Sequence, residues 1–128
     1  MQRLYEPGAV LMRWPTPPEN ANEHLHQVYF VAWFRRTFPD ETIFAIPNGG
    51  HRGKVQAARL KAEGVLAGVP DLFALERRAW IEMKTPKGRP SKAQAEFLKK
   101  AKSVGYVTIL GYGAVDAAKK LMETTKNS

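Results

Sequence analysis

Read as a pattern of apolar and polar positions, the chain divides into successive helix-like and strand-like stretches between a proline-rich opening and a polar tail. Val28-Tyr29-Phe30-Val31-Ala32-Trp33-Phe34 is apolar on every side of a helix predicted over 22–37. Asn20 or Asn22 can cap its start, Glu23 stands in its first turn, and Pro39 follows its end. Such a helix must be covered on more than one face, by the domain's own sheet and by either the opening arm or a second subunit. Residues 42–46 read as a strand, and Pro47-Asn48-Gly49-Gly50 turns the chain out of it. A short helix follows over 54–63, ended by Gly64. Two strands over 71–75 and 79–84 are separated only by Glu76-Arg77-Arg78, which predicts an antiparallel hairpin. Over 91–104, Ala93, Phe97, Ala101 and Val104 form a stripe at helical spacing, with Gly105 just beyond. A strand over 106–110 makes strand, helix, strand a right-handed crossover with parallel strands, and a last helix is expected over 115–122. The order α, β, α, β, β, α, β, α predicts an α/β fold, a mixed central sheet flanked by helices.

Length and charge narrow the function. With 128 residues there is room for one core, so reading and catalysis must share a unit. The expected division is an arm over 1–20, carrying Pro7, Pro15, Pro17 and Pro18, a domain over 21–123 and a tail over 124–128. A net charge of +8 favours a polyanionic partner, nucleic acid before an anionic membrane. The absence of cysteine removes disulfides, thiolate metal sites and Cys nucleophiles together, and the three scattered His residues do not suggest a zinc site. The longest apolar run, 28–34, is far too short to span a bilayer, and the opening lacks a signal-like apolar stretch, so a soluble, cytoplasmic protein is expected.

Chemistry concentrates at the hairpin. Along 79–84 the side chains alternate, so Trp80, Glu82 and Lys84 share one face. If the hairpin pairs as read, Asp71 lies across from the end of the second strand, near Glu82 and Lys84. Two carboxylates and a lysine then converge, a donor set suited to a hard divalent cation that activates water and steadies charge on a phosphoryl group. An E-x-K triplet alone is common and more often a solvated neighbour pair on an edge strand; the partner Pro70-Asp71 on the adjacent strand makes it more specific.

Pro70-Asp71 followed by Glu82-Met83-Lys84 resembles the PD-(D/E)xK nuclease motif. Together with Pro47-Asn48-Gly49-Gly50, Leu60-Lys61-Ala62-Glu63-Gly64, Gly68-Val69, Thr85-Pro86-Lys87-Gly88 and Ser91-x-x-Gln94, it is similar to the VRR-NUC family, in its stand-alone, virus-type form. The resemblance implies a restriction-endonuclease-like core, dependence on Mg²⁺ with Mn²⁺ able to substitute, and hydrolysis of DNA phosphodiesters to a 5′-phosphate and a 3′-hydroxyl. It further implies a Holliday-junction resolvase working as a homodimer on branched DNA, in the cytoplasm of a bacterial or phage-infected cell. A flap-type or restriction-type nuclease and a non-catalytic DNA-binding module are the alternatives. Asp71, Glu82 and the Met83 carbonyl would hold the metal and Lys84 would serve the attacking water, with Glu23 as a further metal-binding acid and Glu19 as its rival. Gln94 has two readings: a capping-box residue reaching back to Ser91, or an active-site residue assisting catalysis. Phosphate contacts are expected from Lys87, Arg89 and Lys92 after the active strand, and from Asn48, Arg52 and Lys54 after the glycine turn.

Overall fold

The computed structural model describes residues 13–47 and 53–126. Helix α1, Glu23–Thr37, begins where the Asn22 side chain accepts the Leu25 amide at 2.9 Å. There follow strand β1 (Ile43–Ala45), helix α2 (Lys54–Ala62), strands β2 (Leu72–Ala74) and β3 (Ala79–Lys84), helix α3 (Lys92–Ser103), strand β4 (Val107–Tyr112) and helix α4 (Ala114–Lys126), the order expected from the sequence. They build one four-stranded sheet in the order β1-β2-β3-β4, antiparallel except for the β3–β4 pair, which α3 connects in parallel. No helix among the described residues is long and apolar enough to cross a membrane.

Strand alternation sorts the side chains onto two faces. Leu72, Ala74, Ala79, Ile81, Met83 and Ile109 belong to the main core with Phe30, Trp33 and Phe34 of α1 and Ala117, Ala118 and Leu121 of α4. On the opposite face Trp80 lies 4.5 Å from Phe73 and 5.1 Å from Phe97 of α3, ring centre to ring centre, beside Tyr106. The amphipathic stripe of α3 therefore seats on an aromatic patch, and its lysines face water.

The all-round covering expected of α1 is met only in part. His26, Phe30, Trp33 and Phe34 turn inward, and Trp14 of the opening segment lies over Trp33 at 6.2 Å. Val28 and Tyr29 on the outer face stay 46% and 36% exposed. The last helix runs longer than expected: Gly113 precedes it and Asp116 in its first turn accepts the Tyr112 amide at 2.9 Å, fixing its entry. Helix α2 differs from the others in having no buried residue: even Val55 is 77% exposed.

The segment that leads from α2 into the hairpin is pinned at Gly68. Its φ is +91°, and a Cβ there would come within 2.6 Å of the Ala93 backbone in the first turn of α3. Both the conformation and the space require glycine, and together they deliver Pro70 and Asp71 to the start of β2. Gly68→Ala is expected to cost about 3 kcal/mol and lower the melting temperature by roughly 10 °C. Gly64→Ala, at φ +108° with open space around it, should cost only about 1 kcal/mol. Thermal melts of the two variants check this, and equal losses would contradict the close-approach account.

Candidate active site

The register of the hairpin builds the site. Leu72 faces Ile81, so the next residue outward, Asp71, meets Glu82 just where the β2 ladder ends. Asp71 Oδ2 accepts the Met83 amide at 2.8 Å, which fixes its carboxylate against the active strand. Glu82 is fully buried and Lys84 nearly so. Lys84 Nζ lies 3.5 Å from Glu82 Oε2 and 3.9 Å from Glu23 Oε2, the latter reaching in from the first turn of α1. One carboxylate oxygen from each of Glu23, Asp71 and Glu82 lies within 4.8 Å of the others. Glu19 lies instead in a groove between the opening segment and the start of α4.

Glu82 is the unusual member. Neither of its oxygens, both buried, accepts a hydrogen bond. Burial pushes its carboxyl up to about 8; the neighbouring Asp71 carboxylate adds to the rise and Lys84 opposes it. A buried carboxylate that accepts no hydrogen bond and has one ion-pair partner, Lys84 at 3.5 Å, is costly, and a hard divalent cation satisfies such oxygens. The donor set of Glu23, Asp71 and Glu82 therefore fits Mg²⁺ or Mn²⁺, with the exposed side chain of Glu23 leaving one flank open to solvent.

The remaining candidates divide by location. Met83 buries its side chain in the core, so only its backbone is available to the site. Lys87 and Arg89 in the loop after β3, Lys92 opening α3 and Lys54 opening α2 are all exposed. Asn48 and Arg52 lie outside the described residues. Gln94 completes the capping box: its Oε1 accepts the Ser91 amide at 2.8 Å, and its own amide donates to Ser91 Oγ at 3.1 Å. The same residue lines a groove together with Asp71, so the cap does not remove it from the neighbourhood of the carboxylates.

Sequence reasoning missed His26. Its Nδ1 accepts the Ala114 amide at 2.9 Å, while the adjacent Gly113 amide donates to the Lys84 carbonyl at 2.7 Å. Helix α1, the end of β3 and the start of α4 are tied at one point, and this holds Glu23 beside Lys84. The only signal in the sequence was the three-residue spacing from Glu23, which places both on one side of a helix.

A raised carboxyl pKa has a definite consequence for stability. Between the ordinary value near 4.5 and about 8 the metal-free folded protein holds a proton at Glu82 that the unfolded chain has released. Folding stability is therefore unaffected by this group below that window, falls as pH rises through it, and levels off above. Glu82→Gln removes the penalty, so in chelator the variant should melt close to wild type at pH 5 and above it by roughly 10 °C at pH 8.5. Melting curves across that range check this, and a difference that does not change with pH would contradict it.

Comparison with known proteins follows the same architecture. No family model matches the chain, and no curated protein matches it. A solved structure described as a "VRR_NUC domain protein" superposes with a TM-score of 0.68, covering 85% of this chain and 92% of that one at 22% identity. On that similarity the chain is built on the fold of a VRR_NUC domain protein.

Proposed function

We propose that this protein is a divalent-metal-dependent endonuclease that hydrolyses phosphodiesters in branched DNA, a Holliday-junction resolvase acting as a homodimer. The observation that carries the reading is the fully buried Glu82, whose oxygens lack hydrogen-bond partners, set beside Asp71 and 3.5 Å from Lys84. A group so costly to bury serves the fold poorly and a metal centre well. The PD-(D/E)xK-like pattern of Asp71, Glu82 and Lys84 supports the nuclease class, as do the name of the similar structure and the charge of +8.

Asp71, Glu82 and Glu23 would hold the cation. The Met83 carbonyl joins them: its N–H points to Asp71, and in an extended strand the carbonyl of a residue points to the same edge as its N–H. Bound there, Mg²⁺ or Mn²⁺ supplies the positive charge that favours ionisation of water and steadies a phosphoryl group in transition. Lys84 orients the attacking water in line with the P–O3′ bond. That bond breaks as the new P–O bond forms, leaving a 5′-phosphate and a 3′-hydroxyl. Lys54, Lys87, Arg89 and Lys92, all exposed, would carry the neighbouring phosphates. Two copies related by a two-fold axis match the paired cuts a four-way junction needs, and exposed Val28 and Tyr29 on α1 offer an apolar patch for self-association.

Incubation with a four-way junction, a flap and a plain duplex, each with and without Mg²⁺, tests the activity. Paired, metal-dependent cuts in the junction are expected, and single nicks confined to the flap would move the assignment to a flap nuclease. Lys84→Ala should abolish cleavage while DNA affinity stays within about twofold, since it removes one basic residue of the 20 in the chain. Near wild-type turnover in that variant would exclude the lysine from the chemistry. Gln94→Ala should lower stability by about 1 kcal/mol through loss of the cap. If Gln94 also assists catalysis, turnover falls at temperatures where the variant is fully folded; unchanged turnover there leaves it a cap alone.

A further inference from the structure

A groove of about 840 Å³ opens beside Asp71, between α2 and the first turn of α3. Its walls are largely aliphatic, from Leu60, Val65 and Leu66, with Lys61 at the rim and Gln94 at the end shared with Asp71. Val65 and Leu66 are 47% and 59% exposed. They are not loosely displayed: the Val65 amide donates to the Leu60 carbonyl at 2.9 Å, which closes the end of α2 and holds the two side chains at the mouth of the groove. Helix α2 contributes nothing buried to the core, and over its length it carries Lys54, Arg59 and Lys61 with no acid among them.

An aliphatic wall offers nothing to phosphate, and a continuous duplex presents its sugar–phosphate exterior and base edges but keeps the apolar faces of its bases stacked. A base that has left its stack is different: both faces are apolar and its edges carry donors and acceptors. Gln94 keeps its Oε1 on the Ser91 amide, so its Nε2 hydrogens remain to donate to a base carbonyl or ring nitrogen. The basic residues of α2 match the charge of the backbone on either side. We propose that this groove takes an unstacked nucleobase of the substrate strand, next to the phosphate held at Asp71. It rests on the nuclease reading and deepens it, because strand exchange points and flap bases supply such a nucleotide and continuous duplex does not. Selection for branched DNA then comes from the cost of unstacking rather than from contacts to a particular sequence.

The test pairs a binding readout with a cleavage readout. Branched DNA carrying 2-aminopurine at successive positions through the branch is titrated with the full chain in chelator, so that binding is read without turnover. A rise in fluorescence at one position next to the cut site is expected with wild type. It should be lost, with about tenfold weaker binding, in Val65→Ser/Leu66→Ser. Val55→Ser, which changes an exposed α2 residue outside the groove, should behave as wild type. In Mg²⁺, replacing that one nucleotide by an abasic site should slow wild type and leave the double variant no slower than it already is. Base-dependent fluorescence without cleavage would sustain the groove and sink the nuclease reading. No fluorescence change at any position, or additive effects of the variant and the abasic site, would overturn the groove whether or not the DNA is cut. A double variant that shifts the protein from dimer to monomer in light scattering would also overturn it, by making the groove a subunit interface.

Discussion

The pairing of Leu72 with Ile81 is the constraint on which the rest depends. It puts Asp71 opposite Glu82 and lets the Met83 amide reach Asp71 at 2.8 Å. A slip of one residue would turn Glu82 and Lys84 into the core and Ile81 and Met83 out of it, so the apolar pattern that stabilises the sheet also enforces the geometry of the carboxylates. Both neighbours of the hairpin protect that register. Gly68 fixes the approach from one side by its contact with Ala93, and the parallel pairing of β3 with β4 extends to Lys84 on the other.

The site is held at an electrostatic cost. Glu82 lies where water cannot reach it, with a second carboxylate beside it and only Lys84, at 3.5 Å, to offset the charge. Removing a carboxylate from water costs more than one imperfect ion pair returns. The core of α1, α4 and the inner sheet face tolerates this because its own chemistry is almost wholly apolar, from Phe30, Trp33 and Phe34 through Leu72, Ile81 and Leu121. A buried carboxylate held at such a cost is the kind of local inconsistency a functional site leaves in a fold, and it supports the role proposed for Glu82.

Much of this was legible in the sequence because the decisive signals are local. Alternation along 79–84 fixes which side chains share a face, and the short gap after 71–75 fixes an antiparallel partner, so Asp71, Glu82 and Lys84 could be brought together on paper. The capping box at Ser91 and Gln94 was readable for the same reason. Contacts between distant segments were not. Nothing in the neighbourhood of His26 announces that it will receive the Ala114 amide 88 residues away. The cover over α1 was likewise left open between the arm and a second subunit; Trp14 on Trp33 supplies part of it, and Val28 and Tyr29 remain exposed. Helix α2 was legible as a helix, but that it would stand apart from the core and leave an aliphatic groove beside Asp71 depends on packing that no periodicity records.

The central claim is that Glu23, Asp71 and Glu82 form one cation site. Titration of the metal-free protein with Mn²⁺, followed by the electron paramagnetic resonance signal of the free ion, tests it most directly. The account predicts saturable binding by wild type that is lost in Asp71→Asn and Glu82→Gln and weakened in Glu23→Gln, with all three variants folded. Binding that is indifferent to all three substitutions would place the metal elsewhere and contradict the account.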